Sequence, residues 1–487
     1  MSFERDATRW RNVGQLGILV TSMPIWFEGI AVLFLVWVAA RVIKRNASLL
    51  QRYFIPSSLV GGVVLLLVGH QALDLVPQAV TSWLALFPSL LINVVFAGMF
   101  IGHKRPTVRQ VWKTAGPMIA FGNTIAWGMY VIGIGLTMVI LGPLFGAPPI
   151  FGALLEISFS GGHGTAAGLS PTFAHLGYSE TTSIALGLAT ISIMLAVISG
   201  LTIINIYNRR SGRIVDRATM KAEQSRMIRR GYDLTRFGQA LETKPHHVIS
   251  SAMVIGAAIG IGWLLLIGLR WAENALLGTA TPIRVFAHLP LFPLAMFGGL
   301  IVQAVIERLH LEWLVRLNTI KIFGAMALDL LMITAIGTMS LNAISDNIAS
   351  FAILAIAGTA WILLAFFVLA PRFFNKHWFE YGMTDVGQAM GMTATGLLLN
   401  RLADPMNRTG ARESFAYKQL AYEPFMGGGI VTAFAVVAIV EFGQWPVLVV
   451  GVAVCAFWLF VGFRLGNKRH RRHLREHSIA QFVMREF

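Results

Sequence analysis

The sequence predicts an all-α polytopic membrane protein with two inverted-topology repeats of about five spans, a re-entrant hairpin in each repeat, and one extra C-terminal span. Three observations support this class. The chain of 487 residues is 56% hydrophobic and 13% charged, unlike a typical soluble domain. Its apolar residues form segments long enough to cross a bilayer. Two further apolar segments are interrupted by glycine and by hydroxyl-bearing residues.

Eleven apolar segments are long enough to cross a hydrocarbon core, which takes about 20 helical residues. The first is interpreted as a retained span, because charges of both signs precede it and its apolar run is too long for a signal peptide. The predicted spans are 16–40, 55–73, 83–102, 115–141, 184–207, 248–269, 289–306, 322–341, 348–370, 424–440 and 446–463.

Two interrupted segments, residues 149–178 and 381–400, are the most informative parts of the chain. The first contains Ser158-Phe-Ser-Gly-Gly-His-Gly-Thr-Ala-Ala-Gly168. Non-helical backbone at bilayer depth is tolerated only where protein or water covers it. Discontinuous helices of this kind hold substrates and coupling ions in secondary transporters. The pattern predicts two re-entrant hairpins and indicates solute transport.

The distribution of lysine and arginine predicts the orientation, because cytoplasmic loops are enriched in these residues. The loops after the first and third spans are basic, whereas those after the second and fourth contain no lysine or arginine. If the first hairpin enters from outside, the basic linker 209–247 and the basic tail fall in the cytoplasm. The N-terminus is then outside, and the second hairpin enters from the cytoplasmic face.

Weak internal similarity supports two repeats of opposite topology. Pro56 and Gly61-Gly62 recur as Pro293 and Gly298-Gly299, and Thr165-Ala-Ala-Gly168 recurs as Thr393-Ala-Thr-Gly396. The alternative for each pairing alone is chance, since small residues are common in membrane helices. The predicted organisation is a first repeat (1–208, hairpin 149–178), a linker (209–247), a second repeat (248–442, hairpin 381–400), and an extra span with a basic tail (443–487).

The two breaks have the chemistry of a binding site. A helix that ends inside the membrane presents free amides at one end and free carbonyls at the other, equivalent to roughly half a charge each. The end with free amides attracts carboxylates, and the end with free carbonyls attracts cations. Glycines allow close approach of a ligand, and hydroxyls add oxygens suited to sodium. The alternative is that these small residues only allow close helix packing.

The candidate site residues follow from this inventory. Because His163 has no second histidine or carboxylate at metal-ligand spacing, it is assigned a hydrogen-bonding role and no transition-metal site is expected. The substrate-binding candidates are Ser160, Gly161, Gly162, His163, Gly164, Thr165, Asp385, Thr393 and Thr395. The ion-binding candidates, with sodium held by hydroxyls and backbone carbonyls, are Glu156, Ser158, Gly391 and Thr393.

Four acidic residues lie within or beside the apolar segments: Glu28, Glu156, Asp329 and Asp385. An ionisable side chain in a membrane segment is a functional hypothesis by default, because its burial is costly. The alternative for each is a position at the interface or in a water-filled crevice. Our hypothesis is that Glu156 or Asp385 helps to bind a cation or the ammonium group of a substrate.

Several other functions find no support in the sequence. Cys455 is the only cysteine, so one chain cannot form a disulfide or a thiolate metal site. The formal charge of +16 follows from membrane topology rather than from nucleic-acid binding. An intramembrane enzyme would need a nucleophile, base or metal set, and none is found. A channel would share the spans but would not need inverted, discontinuous helices.

The segment Ser160-Gly-Gly-His-Gly-Thr165-Ala-Ala closely resembles the signature of bacterial sodium/glutamate symporters. The segments 55–62, 178–199 and 391–395 resemble further positions of that family. The resemblance implies a carrier that imports glutamate, or a related amino acid or carboxylate, by alternating access. It implies sodium as the coupling ion and no cofactor.

The same resemblance implies a multi-pass protein of the bacterial inner membrane. It also implies a homodimer in which a unit that carries the hairpins moves against a fixed scaffold within the lipid bilayer. The alternatives are a cation-coupled carrier for a different organic anion, a channel, or a membrane enzyme.

Overall fold

The computed structural model describes residues 24–52, 54–103, 106–210, 245–278, 284–374 and 376–486. The predicted outward N-terminus, the start of the first span and most of the basic linker lie outside the described residues. Side chains of the basic tail beyond residue 467 are also outside them.

The helices of the first part of the chain alternate long spans with short turns. A π turn at Thr137–Leu141, a 3-10 turn at Pro149–Ala153 and a π turn at Glu156–Ser160 interrupt them. In order, the helices are α1 (Ile25–Asn46), α2 (Ser48–Arg52), α3 (Ser57–Val68), α4 (Gln78–Leu84), α5 (Phe87–Gly98), α6 (Val108–Leu136), α7 (Gly142–Phe145), α8 (Gly162–Gly168), α9 (Ser170–His175) and α10 (Thr181–Arg210).

The second part of the chain continues in the same style, with a 3-10 turn at Glu312–Leu314. Its helices are α11 (Pro245–Leu277), α12 (Leu291–Arg308), α13 (Leu317–Gly337), α14 (Leu341–Asp346), α15 (Ile348–Val368), α16 (Ala370–Phe373), α17 (Trp378–Ala389), α18 (Thr393–Ala403), α19 (Ala411–Tyr422), α20 (Ile430–Glu441) and α21 (Gln444–Glu486).

The described residues are helical, with no strand among them. Nine helical stretches among the described residues are long and apolar enough to cross a membrane; one of them, Gln78–Gly98, includes both α4 and α5, and α3 and α20 are shorter apolar helices. Each of the eleven predicted spans coincides with one of these, so the prediction of an all-α polytopic membrane protein is confirmed.

Proline marks the start of several helices. Pro56, Pro77 and Pro290 directly precede α3, α4 and α12. A proline has a fixed φ and no amide hydrogen, so it suits the first turn, where that hydrogen would have no partner within the helix. By contrast α6 starts after Thr107, whose hydroxyl accepts a hydrogen bond from the amide of Gln110, the usual N-cap arrangement.

Two regions differ from the sequence prediction. The predicted tenth span, 424–440, becomes helical only at Ile430, because Pro424 is followed by glycines in left-handed conformations, Gly427 and Gly428. The polar helix α19 was not predicted as an element. It packs against α6 and α17, and its inward-facing residues are buried: Ala411, Ser414, Phe415, Lys418, Gln419 and Tyr422.

Glycines allow the helices around the core to approach closely. A Cβ on Gly62 of α3 would lie 2.6 Å from the Cβ of Ile336 in α13, and one on Gly299 of α12 would lie 2.3 Å from the Ala97 carbonyl oxygen in α5. Each of the two contacts joins a helix of the first part of the chain to a helix of the second. In lipid there is no hydrophobic driving force between helices, so close packing at small residues contributes to their association.

We expect Gly298→Ala to destabilise the protein by about 1–3 kcal/mol, because overpacking forces backbone shifts. The new Cβ would lie 2.0 Å from the carbonyl oxygen of Ala258 in α11. Gly256→Ala in α11 is the control, since no heavy atom of the described residues lies within 4 Å of its added Cβ. Thermal unfolding in detergent should show a lower melting temperature for the first variant alone. Equal melting temperatures would contradict the packing.

Candidate functional site

The first interrupted segment is broken where the glycines predicted it. The π turn Glu156–Ser160 ends at Gly161, and α8 begins at Gly162. Gly162 has a φ of 67°, in the left-handed region that glycine adopts without steric cost. Its neighbours Ser158 and Thr165 have no exposed surface. The side chains on both sides of the break are therefore buried in protein.

The second interrupted segment forms two helices that pack against each other. α17 ends at Ala389 and α18 begins at Thr393. A Cβ on Gly387 would lie 2.8 Å from the Cα of Gly396, so the two arms touch through glycine. The three residues between them, 390–392, form one turn. The last carbonyls of α17 and the first amides of α18, which have no partner within their own helices, therefore lie close together.

A third break lies between α19 and α20, at Glu423–Gly429, and the sequence analysis did not assign it to the site. Gly427 and Gly428 have φ values of 66° and 104°. The signal for it was the run Gly427-Gly428-Gly429 after Pro424, within a segment read as the start of a span.

The three breaks meet at one place. A Cβ on Gly162 would lie 3.2 Å from the carbonyl oxygen of Gly391, which joins the first break to the second. A Cβ on Gly427 would lie 3.4 Å from the carbonyl oxygen of Ser160, which joins the third to the first. The junction is thus built from main chain, at two glycines where an added Cβ would be in close contact with a carbonyl oxygen of another break.

Glu156 connects the first break to the third. Its carboxylate has no exposed surface. It accepts hydrogen bonds from the Gly427 amide (2.8 Å), the Thr432 hydroxyl (3.1 Å) and the Tyr130 hydroxyl (2.9 Å). Hydrogen bonds to a charged acceptor in a low-dielectric site are strong. The predicted ion-binding residue Glu156 therefore holds the glycine turn at 427 in place.

The predicted residue Asp385 forms a buried ion pair that the sequence did not reveal. Its Oδ1 lies 2.9 Å from Nζ of Lys418, and neither side chain is exposed. Nζ of Lys418 also donates to Oε1 of Gln388 at 2.9 Å and lies 3.8 Å from the centre of the Tyr422 ring. The Tyr422 hydroxyl lies 3.4 Å from Oγ of Ser160, so α19 contacts both predicted hairpins.

The predicted residue Thr393 contacts a second acidic group of the third break. Its hydroxyl donates to Oε1 of Glu423 at 2.8 Å and accepts from Nε2 of Gln419 at 2.7 Å. The Glu423 carboxylate thus lies at the N-terminal end of α18, an end that attracts negative charge. Lys418, Gln419 and Glu423 were not among the predicted site residues.

The remaining predicted residues surround the first break. Nε2 of His163 lies 2.9 Å from the hydroxyl of Thr190 in α10, and the Thr165 hydroxyl donates to the carbonyl of Gly161 at 3.0 Å. Within the described residues, Ser158 Oγ and His163 Nδ1 are buried and have no hydrogen-bond partner. A Cβ on Gly164 would lie 2.8 Å from Ile92, so that glycine serves packing against α5.

Two acidic residues of the sequence hypothesis lie elsewhere. Asp329, in α13, has Arg41 of α1 at 4.0 Å, and both side chains are more than a third exposed. Glu28 is in the first turn of α1.

Thr395 and Gly391 lie at the second break, where a Cβ on Gly391 would be 2.9 Å from Oγ1 of Thr395. The structure thus gathers Glu156 and Asp385 at the breaks, but not Asp329 or Glu28.

Discontinuous helices that converge inside a multi-pass membrane protein define the architecture class of secondary transporters. The comparisons with known proteins give the particular family. The family model described as "Sodium/glutamate symporter" matches residues 26–395, and the chain belongs to that family. The chain is also 24% identical, over 331 residues, to the sodium/glutamate symporter of Haemophilus influenzae; the match covers 65% of this chain and 72% of that protein.

We expect Gly428→Ala to lower stability by about 2–4 kcal/mol, combining left-handed strain with overpacking. The added Cβ would lie 2.3 Å from Oγ1 of Thr165. Gly443→Ala controls for strain, because Gly443 has a φ of 85° and no heavy atom of the described residues within 4 Å of an added Cβ. Unfolding in detergent should show a larger loss for Gly428→Ala. If the two variants lose equally, the third break does not contact the first as described.

Proposed function

We propose that this protein is a sodium-coupled symporter that imports glutamate, or a related amino acid or carboxylate, by alternating access. The observation that carries the proposal is the junction of three main-chain breaks with buried charged side chains around it. Unpaired backbone dipoles inside a membrane protein are costly unless a ligand or protein group completes them. Family membership and the name of the Haemophilus influenzae relative supply sodium and glutamate as the ligands to test.

The proposed ion site lies on the carbonyl side of the first break. Ser158 Oγ is buried, and no hydrogen-bond partner for it exists among the described residues. Together with backbone carbonyls before Gly161, this hydroxyl supplies the neutral oxygens that a sodium ion prefers. Ser160 and Gly391 complete the proposed set, and Glu156 acts as a positioning residue for the third break.

The proposed site for the carboxylate of the substrate is the start of α18, where it would take the place that the Glu423 carboxylate has beside Thr393 in this structure. The first amides of a helix are unsatisfied and attract anions. Thr393 and Thr395 supply hydroxyls there, Gly162 of the first break lies beside Gly391 at the same turn, and His163 is the next residue of that break. The same site would hold a different organic anion, which is the alternative substrate class.

We also propose that the two interrupted segments are re-entrant hairpins of two inverted repeats, 1–208 and 248–442, joined by the linker 209–247 and followed by the extra span in 443–487. Reciprocal packing supports this organisation: α3 meets α13 through Gly62, and α12 meets α5 through the corresponding Gly299. The family resemblance supports a location in a bacterial inner membrane and a homodimer. The distribution of basic residues supports a cytoplasmic linker and tail.

The function is tested with purified protein in sealed vesicles and an imposed inward sodium gradient. Labelled glutamate should accumulate above its external concentration only with the gradient. Gly162→Ala should reduce the initial rate at least about tenfold, equivalent to about 1.4 kcal/mol, because Gly162 has a φ of 67° and contacts Gly391. Gly146→Ala, at a φ of 65° with no described heavy atom within 4 Å of its added Cβ, is the control.

Two results of this assay would refute the proposal. Downhill conductance without accumulation indicates a pore. Sodium-driven uptake of an organic anion that is neither an amino acid nor a carboxylate, with none of glutamate, indicates the alternative carrier.

The proposed orientation is tested by labelling single cysteines, which the chain makes simple because Cys455 is its only cysteine. In a Cys455→Ser background, Ala72→Cys and Asn342→Cys should react with a membrane-impermeant maleimide added outside intact cells. Asn46→Cys and His310→Cys should react only after permeabilisation, because their loops are basic. All four positions are exposed in the structure. Reaction of Asn46→Cys or His310→Cys in intact cells would contradict the orientation.

A further inference from the structure

Helix α19 carries a positive charge into the second break, where none is expected from the apolar surroundings. Lys418 has no exposed surface and is enclosed by Asp385, Gln388, Tyr422 and Gly122. A buried ammonium group loses its hydration and is tolerated only when other groups replace the water. The protein therefore maintains this charge at a cost.

The groups around the ammonium are those of a cation site. The Asp385 carboxylate and the Gln388 amide oxygen both lie 2.9 Å from Nζ. They belong to the last turn of α17, which ends at Ala389, and the C-terminal end of a helix attracts positive charge. The face of the Tyr422 ring, 3.8 Å away, adds a cation–π contact.

While it is ionised, the Asp385 carboxylate requires a cation beside it. Asp385 has no exposed surface, and within the described residues its oxygens have no hydrogen-bond partner besides Lys418. Removal of one partner of a buried ion pair leaves an uncompensated charge. An ionised Asp385 must therefore be accompanied by a positive charge, and the chain supplies one from its own side chain, Lys418.

We infer that Asp385 and Gln388, at the end of α17, form a monovalent-cation site that the ammonium group of Lys418 fills as a tethered cation, and that sodium binds there when the ammonium is removed. As part of the proposed symport, which this inference extends, the tethered charge takes the place of one free sodium ion. The second break then always carries a neutral pair, whatever the external sodium concentration.

The test is the thermal stability of the purified full-length protein in detergent, with sodium chloride exchanged for choline chloride at constant total salt. Lys418→Met should melt below wild type in choline, and sodium should raise its melting temperature by several degrees more than it raises that of wild type. A ligand that binds only the folded state stabilises it in this concentration-dependent way. Asp385→Asn combined with Lys418→Met is the matched control, and its sodium response should match that of wild type.

Lys418→Gln provides a second variant if Lys418→Met does not fold, because its amide keeps a hydrogen-bond donor near Asp385. It should also gain a sodium response, and its uptake should depend more steeply on sodium than wild-type uptake. The inference is overturned if the sodium increments of the single variants equal that of the double variant. It is equally overturned if acidification, rather than sodium, restores the single variants, since a proton would then neutralise Asp385.

The outcome is separable from that of the proposed function. The stability measurement needs no transport, so a gain of sodium binding in Lys418→Met stands even if wild type fails to accumulate glutamate. Conversely, sodium-driven glutamate uptake by wild type leaves the proposed function intact if the single variants gain no sodium response.

Discussion

The structure depends on one constraint: backbone that is not helical must still satisfy its polar groups where water is excluded. This chain breaks its helices at Gly161-Gly162, at 390–392 and at 423–429, and it places all three breaks together. Each break covers part of the main chain of another. A single exposed break would be costly, whereas three that meet cover part of one another.

Buried polar side chains hold this junction in one arrangement. Glu156 accepts from the amide of Gly427, and Thr432 links Glu156 to the amide of Gly428. Lys418 pairs with Asp385, and Thr393 contacts Glu423. These interactions connect the three breaks in one network of buried contacts.

The fold was largely predictable because lipid imposes strong rules on composition. Every predicted span coincides with a helix, and the glycines at 161–168 and 387–396 marked two breaks correctly. The prediction failed where the segment was not apolar. Helix α19 is polar in sequence, with Arg412, Glu413 and Lys418 among its residues. Its hydropathy therefore did not predict a helix within the membrane protein. Its buried position results from packing against α6 and α17, which no local pattern records.

The sequence by itself determined the class of protein, the approximate spans and the residues of two breaks, because hydrophobic length and glycine content are local properties. Only the tertiary structure decided which breaks meet and which charges are paired. Asp385 and Asp329 have the same sequence signature, an acid near an apolar run, yet one pairs with Lys418 without exposure and the other faces Arg41 with more than a third of its side chain exposed. The difference results from long-range packing, which brings Asp385 of α17 into contact with Lys418 of α19.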